Sequence, residues 1–228
     1  MLFIVNRIIS DEAVNRLNQF GEVILFSTSG IVDNYLSGHV DLFFTKIGDR
    51  LIYAPNTLEK YINELKRAGV KLEMGKKSVG GDYPDCAIYN AAISGGVVVH
   101  KFGITDEVIK LYTQKYLTIN VKQGMTRCST LILNNNAVIT SDKGIEKECV
   151  SKGIDTLFVT PEDIKLPGKP YGLFGGCCGV HGDKIFINGS LSKKSGGNII
   201  QTFLDKYNME IIELDDTPLT DIGSIICL

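Results

Sequence analysis

The hydrophobic pattern of this chain repeatedly pairs two short alternating runs with one run of helical spacing. Residues 38–55 alternate around Gly48-Asp49, which predicts two strands joined by a tight turn. Residues 57–68 have apolar side chains on one helical face and end before Gly69, which predicts a helix. Residues 70–74 then predict a third strand. The unit is therefore strand, strand, helix, strand.

The same order recurs three more times along the sequence. Further hairpins are predicted at 85–100, at 128–141 with a turn at Asn134–Asn136, and at 177–189 with a turn at Gly182-Asp183. The helices that follow them are predicted at 105–115, 144–152 and 195–208, and the third strands at 116–121, 154–160 and 209–214.

The two ends of the chain together supply a fifth unit. Residues 1–6, 10–20 and 22–27 predict a strand, a helix and a strand that lack a first strand, while residues 221–228 predict a strand without a partner. Pairing the termini completes the unit and leaves no open edge between the first and last repeats. The pattern predicts an α/β, five-bladed β/α propeller of five β-β-α-β repeats, with 1–228 as a single domain.

Composition and charge exclude several classes of function. The formal net charge of −2 gives no electrostatic case for nucleic acid. No apolar run approaches the ~20 residues that span a bilayer, and the first ten residues lack the features of a secretory signal. We therefore expect a cytoplasmic protein whose six cysteines are reduced thiols. Three histidines and no CxxC pair give no zinc signature, so no metal is predicted.

Polar residues recur where the five hairpins open. These positions should meet around the common axis of a ring of repeats. His39 is the only histidine among them. The others are Asp41, Asp82, Asp85, Cys86, Arg127, Cys128, Cys177, Cys178, Asp221 and Ser224.

The repeat order and two short motifs resemble those of a known superfamily. The segment "GHVD" at 38–41 is similar to the histidine segment of arginine and agmatine deiminases, and "TRCST" at 126–130 to the segment of the nucleophilic cysteine in arginine deiminases. More loosely, "GSIIC" at 223–227 is similar to the C-terminal cysteine segment of agmatine deiminases. The chain thus resembles the pentein fold of the guanidino-group-modifying enzymes, and also an uncharacterised bacterial family with that fold.

The resemblance implies a function and a role for each candidate residue. It implies a cysteine-dependent hydrolase or amidinotransferase that acts on a small, cationic guanidino or amidino compound through a covalent thiouronium, with no cofactor. His39 would be the catalytic histidine and Asp41 a substrate-binding carboxylate. Arg127 beside Cys128 makes that thiol the first candidate for the nucleophile, and Cys86 is the second. Ionised Asp41, Asp85 or Asp221 would accept paired N–H bonds from the planar cation.

Structural alternatives remain open for each of these residues. His39 and Asp41 are compatible with a local hydrogen-bonded pair, Cys128 with a core position, and Asp85 and Asp221 with turn caps. The second functional hypothesis is a non-catalytic pentein that binds a small ligand or a macromolecular partner, as the ribosome anti-association factor of this fold does. Both are compatible with a homo-oligomer.

Overall fold

The structure, a computed structural model, describes residues 1–134 and 136–228. Asn135, in the middle of the turn predicted at Asn134–Asn136, lies outside the described residues. The helices of the described chain are α1 (Asp11–Leu17), α2 (Glu59–Arg67), α3 (Glu107–Tyr112), α4 (Thr126–Ser129), α5 (Lys143–Ser151) and α6 (Gly197–Lys206). The strands are β1 (Leu2–Asn6), β2 (Glu22–Phe26), β3 (Phe44–Ile47), β4 (Arg50–Tyr53), β5 (Lys71–Met74), β6 (Ala92–Ser94), β7 (Val97–His100), β8 (Leu117–Asn120), β9 (Thr130–Asn134), β10 (Ala137–Thr140), β11 (Asp155–Phe158), β12 (Cys178–His181), β13 (Lys184–Ile187), β14 (Glu210–Glu213) and β15 (Ile226–Cys227).

The described strands form small sheets of three strands each, ordered β15-β1-β2, β3-β4-β5, β6-β7-β8, β9-β10-β11 and β12-β13-β14. In each sheet the central strand pairs antiparallel with the strand before it and parallel with the strand after it, as β4 does with β3 and β5. The first sheet joins the chain ends, because β1 pairs antiparallel with β15 through Phe3–Cys227 and Ile4–Ile226. These pairings give a mixed α/β fold with the predicted order of elements.

The central strands are more deeply buried than the third strands of the sheets. All four residues of β7 and of β10 are buried, whereas three of the four residues of β8 are exposed. A continuous apolar run suits a strand that is covered on both faces. The first strands of neighbouring sheets contact one another in the order β3, β6, β9, β12 and β15. The ammonium of Lys46 on β3 also donates to the carbonyl of Cys227 on β15 at 2.6 Å.

The prediction that the first strands begin at residues such as His39 and Cys128 was wrong. Val40–Leu42 form a 3-10 turn that His39 precedes, and β3 begins only at Phe44. Short turns also precede the other hairpins, at Asp85–Ala87, at α4 and at Phe174–Cys177. His39 and Asp41 are therefore not alternate residues of a strand. The segment misleads because Val40, Asp41 and Leu42 are all buried, so its hydrophobic pattern does not distinguish a buried turn from a strand.

The five predicted helices agree with the observed spans except at their ends, whereas α4 was not predicted. Side-chain caps begin three of them: Ser10 accepts from the amide of Ala13, Asp106 from that of Val108, and Asp142 from that of Ile145. The predicted helix at 105–115 is shorter than expected, Glu107–Tyr112, because Asp106 caps it and Thr113 ends it. None of the described helices is both long enough and apolar enough to cross a membrane.

Candidate active site

Three chemically reactive side chains meet where two of the buried turns approach each other. His39 and Asp41 come from the turn before β3, and Cys128 comes from α4 before β9. One nitrogen, one carboxylate oxygen and the sulfur of these residues all lie within 4.8 Å of one another. The residues are 1%, 1% and 5% exposed, respectively. The structure thus brings together two parts of the chain separated by nearly ninety residues.

Asn90 fixes the position of Cys128. Its side-chain oxygen accepts from the backbone amides of Arg127 at 2.8 Å and of Cys128 at 3.2 Å. Its side-chain nitrogen donates to the Cys128 sulfur at 3.1 Å and to the Asp41 carbonyl at 3.4 Å. Amides at the start of a helical turn have no partner within it, and here the side-chain oxygen of Asn90 and its backbone carbonyl satisfy them. Asn90 therefore ties α4 to the turn that contains Asp41.

The C-terminal segment holds the other side of the site. Gly223 has φ +75°, and a Cβ there would lie 2.4 Å from Cγ of His39, so only glycine allows this approach. The carbonyl of Gly223 accepts from the amide of Asp41 at 3.3 Å, and the hydroxyl of Ser224 donates to the Asp41 carboxylate. The sulfur of Cys128 is 3.0 Å from the same carboxylate oxygen. Asp41 is thus positioned by residues from three separate segments.

Asp221 is a second buried carboxylate of the site. Its two oxygens accept from the amides of Gly223 at 2.9 Å and Leu173 at 3.0 Å. A Cβ on Gly176 would lie 1.9 Å from one of these oxygens, so the backbone packs directly against the carboxylate. Asp221 is 1% exposed but lines the same cavity as His39 and Cys128. Its anionic form is held at the foot of that cavity by backbone dipoles.

Two cavities adjoin the site. One, of about 340 Å³, is lined by His39, Cys128 and Asp221, with Tyr35 and Tyr171 also in its wall. The other, of about 270 Å³, lies among the first strands and is lined by Asp41 and Arg127. We call the first the entrance cavity and the second the strand cavity. A small ligand in the entrance cavity would contact the thiol, the imidazole and the carboxylate of Asp221.

Burial controls the ionisation of the site. It lowers the pKa of His39, although Asp41 opposes this shift, so the imidazole is neutral. It raises the pKa of Asp41 and raises that of Asp221 to about 6. It also raises the pKa of Cys128 well above its ordinary value, and the negative charges of Asp41 and Asp221 add to that effect. A thiolate at Cys128 therefore needs a positive charge nearby.

Several polar atoms of the site have no hydrogen-bond partner within the described protein. They are both ring nitrogens of His39 and one carboxylate oxygen of Asp41. Buried polar groups are rarely left unsatisfied, and the exceptions often have a functional reason. These atoms suit a ligand that supplies N–H groups to the carboxylate and a protonatable nitrogen to the imidazole. The donors of His39, Asp41 and Cys128 are also spaced closely enough to hold one metal ion.

Two predicted site residues lie away from this cluster. Cys86 is 4% exposed and packs in the core with Val79 and Tyr89, and burial raises its pKa. Asp85 is exposed, and it packs against Gly80, because a Cβ on Gly80 would lie 2.7 Å from the Cβ of Asp85. The reason is that the turn at Asp85–Ala87 ends several residues before β6, so Asn90 rather than Asp85 or Cys86 reaches the site.

The other cysteines that open or close hairpins are buried, and Arg127 is bound to backbone carbonyls. Cys177 and Cys178 are fully buried, and burial raises the pKa of Cys227 to about 12. The guanidinium of Arg127 donates to the carbonyls of Gly175 at 2.8 Å and Cys178 at 2.7 Å. Arg127 thus binds the neighbouring glycine turn, and its charge also opposes the raised pKa of Asp221.

Sequence reasoning missed Asn90 and Gly223. The signal for Asn90 was a single amide in the apolar stretch "AIYNAAIS", where a buried polar side chain must bond to something. Gly223 lies in "DIGS" beside the predicted Asp221, but only the structure shows that it packs against His39.

Comparison with solved structures defines the class of fold. The agmatine deiminase of C. jejuni superposes with a TM-score of 0.57 over 94% of this chain and 87% of that chain, at 11% identity. The inosamine-phosphate amidinotransferase of Streptomyces griseus gives 0.54 over 98% and 90%, at 11% identity. The dimethylarginine dimethylaminohydrolase of Pseudomonas aeruginosa, complexed with citrulline, gives 0.52 over 94% and 91%, at 9% identity. The chain shares the fold of these enzymes, the pentein fold that the repeat order predicted.

Sequence comparison places the chain more narrowly. Residues 4–226 match the Family of unknown function (DUF6873), and the chain belongs to that family. No curated protein matches the sequence.

Proposed function

We propose that this protein is a cysteine-dependent enzyme that hydrolyses a small guanidino or amidino compound or transfers its amidino group. The observation that carries the proposal is the meeting of Cys128, His39 and Asp41 within 4.8 Å, with Asp221 lining the same cavity as the thiol and the imidazole. The solved structures named above include a deiminase and an amidinotransferase of the same fold. Because their identity to this chain is low, the likeness supports a shared fold only. The chemistry is therefore argued from this chain's own residues.

The proposed binding step neutralises the buried carboxylates. The planar cation would donate N–H bonds to Asp221, which lines the entrance cavity, and to the unpartnered oxygen of Asp41, whose carboxylate lies within 4.8 Å of the thiol and the imidazole. Its positive charge would also lie beside Cys128 and lower the pKa of the thiol, which the empty site raises. Substrate binding thereby produces the nucleophile. The empty site keeps the thiol protonated and unreactive.

The proposed chemical steps use His39 twice. The Cys128 proton passes to His39, and the thiolate attacks the central guanidino carbon to form a C–S bond. The imidazolium protonates the departing nitrogen, whose C–N bond breaks to leave a thiouronium. Neutral His39 then takes a proton from water, or from an acceptor amine, as it attacks the same carbon. Cleavage of the C–S bond releases a urea when water attacks, or a new guanidine when an amine attacks, and the imidazolium returns a proton to the Cys128 sulfur. Hydrolysis and transfer differ only in the attacking group.

We further propose that residues 1–228 form one closed, five-bladed β/α propeller in the cytoplasm. The contacts between successive first strands and the Lys46–Cys227 hydrogen bond support a closed ring. The ring would bring the turns before each hairpin to one end of its axis, where the site lies. All six cysteines are free and buried, which agrees with a reducing compartment.

Selective alkylation tests the proposal. Wild-type protein, treated with a chelator to free the thiols, is reacted with 2-chloroacetamidine and with neutral 2-chloroacetamide, and labelled cysteines are identified by peptide mass. We expect Cys128 to react at least tenfold faster with the cation, because the buried carboxylates concentrate it beside the thiol. Cys128→Ser should abolish this labelling, whereas Cys86→Ser, the matched control, should retain it. Equal rates with the two reagents at Cys128 would refute the proposal.

A further inference from the structure

The outer part of the entrance cavity differs in charge from its foot. Its wall is formed by the aromatic and aliphatic side chains of Tyr35, Leu36, Leu166 and Tyr171. Asp221 is the carboxylate of the lining and lies at the foot, beside Cys128. Lys169 is the ammonium of the lining and belongs to the exposed loop at the mouth. A ligand therefore passes from a positive mouth, along an apolar wall, to a negative foot.

Backbone contacts fix the loop that carries Lys169. The amide of Lys169 donates to the carbonyl of Leu166 at 3.0 Å, and the amide of Gly172 donates to the carbonyl of Ile164 at 2.7 Å. Gly168 has φ +82°, and a Cβ there would lie 3.5 Å from Cβ of Tyr35. The loop is thus anchored at both ends and packs on the aromatic wall, so the position of Lys169 at the mouth is defined by the fold.

The Lys169 charge is available to a ligand. Its ammonium lies 4.4 Å from the centre of the Tyr35 ring. Across residues 1–134 and 136–228, Lys169 takes part in none of the ion pairs, which join other lysines and one arginine to carboxylates. A cation over an aromatic face at the surface is held weakly and keeps its donors free. An anionic group at the mouth would gain an ion pair, and a cationic group would be repelled.

We propose that the substrate is a guanidino carboxylate: a guanidinium joined by a short aliphatic chain to a carboxylate that Lys169 binds. This inference rests on the proposed function, because it assumes that the guanidinium occupies the foot. The aliphatic chain lies along Tyr35 and Tyr171. A guanidino amine such as agmatine, with an ammonium at the far end, binds less well to the same site.

Protection of Cys128 from alkylation measures this preference without requiring turnover. The rate of Cys128 labelling by 2-chloroacetamidine is followed at increasing concentrations of 4-guanidinobutyrate or of agmatine, which have similar chain lengths and opposite terminal charges. We expect 4-guanidinobutyrate to protect at a concentration at least roughly fivefold lower, the scale of one exposed charge pair. Equal protection, better protection by agmatine, or no protection by either would overturn the inference.

Two charge-reversal variants assign the preference to one lysine. Lys169→Glu should reverse the order of the two protectants, since the mouth then carries a carboxylate. Lys165→Glu is the matched control, because Lys165 lies on the same exposed segment but does not line the entrance cavity, and it should leave the order unchanged. An unchanged order in Lys169→Glu, or reversal in both variants, would also overturn the inference.

The outcomes distinguish this inference from the proposed function. If 2-chloroacetamidine shows no preference for Cys128 in the absence of protectant, the proposed function fails and the inference fails with it. If the preference is present but the terminal charge of the protectant has no effect, the guanidinium site remains and only the assignment of a carboxylate tail fails.

Discussion

Two short turns that precede neighbouring hairpins each contain a buried cysteine, yet their surroundings differ. In α4 the Cys128 sulfur contacts the amide of Asn90 and the carboxylate of Asp41 at hydrogen-bonding distance. In the turn at Asp85–Ala87, Cys86 packs among apolar side chains. Burial raises the pKa of both thiols. A buried cysteine in the turn before a hairpin is therefore not enough to make a reactive site.

The difference arises from what the following residues do. After Cys86 the chain continues for several residues before β6, and Asn90 in that interval reaches across to α4. After Cys128 the strand begins within two residues, so the thiol stays near the foot of the entrance cavity. One turn thus supplies the thiol and the other supplies the amide that holds it. The two regions form one site with unequal roles.

The largest expected effect tests this division of roles. Asn90→Ala removes the side-chain partner of the Cys128 amide and sulfur, while the Arg127 amide keeps the backbone carbonyl of residue 90, so we expect it to lower the free energy of unfolding by about 3 kcal/mol. It should also slow labelling of Cys128 by 2-chloroacetamidine relative to 2-chloroacetamide. The first quantity is measured by urea denaturation, and the second by peptide mass.

Asn56→Ala is the control for Asn90→Ala. The side chain of Asn56 also bonds to two backbone groups, those of Val79 at 2.9 and 3.0 Å, and neither Asn56 nor Val79 lines the entrance cavity. The Asn56→Ala variant should be less stable than the wild type but should keep the preference of Cys128 for the cationic reagent. If Asn90→Ala retains that preference as fully as Asn56→Ala, Asn90 is a structural residue only.

A somewhat smaller effect compares the two aspartates. Asp221→Asn should reduce the preference of Cys128 for 2-chloroacetamidine over 2-chloroacetamide by roughly thirtyfold, which is the scale of a lost hydrogen bond to a charged group. Asp85→Asn, at the exposed end of the Cys86 turn, should change the preference by less than about twofold. Similar losses in the two variants would contradict the role assigned to Asp221.

The sequence was sufficient for the order of elements but not for the geometry before each hairpin. Apolar alternation on either side of Gly48-Asp49 and Gly182-Asp183 correctly predicted both hairpins. The same alternation extended the first strands too far, because a buried turn such as Val40–Leu42 is as apolar as a strand. Hydrophobic periodicity reports burial, and burial alone does not choose between the two backbone conformations.

The candidate site was predictable only as a set of residues that open the hairpins. His39, Asp41, Cys128 and Asp221 come together in the structure, while Cys86 and Asp85, selected by the same reasoning, do not. Asn90 is the residue that decides this outcome, through hydrogen bonds to residues almost forty positions away. Such pairings depend on tertiary packing, which leaves no periodic signal in one sequence.

The smallest expected effect is a pH dependence that separates the two cysteines. Because the pKa of Asp221 is raised to about 6, its carboxylate is anionic above that pH and becomes neutral below it. Labelling of Cys128 by 2-chloroacetamidine, relative to 2-chloroacetamide, should therefore fall by up to about tenfold per pH unit below pH 6. The same ratio at Cys86, whose neighbouring carboxylates Asp33, Asp82 and Asp85 are exposed to solvent, should stay constant between pH 5 and pH 8. A flat ratio at Cys128 over that range would mean that Asp221 does not bind the cation, and the two turns would then differ in packing alone.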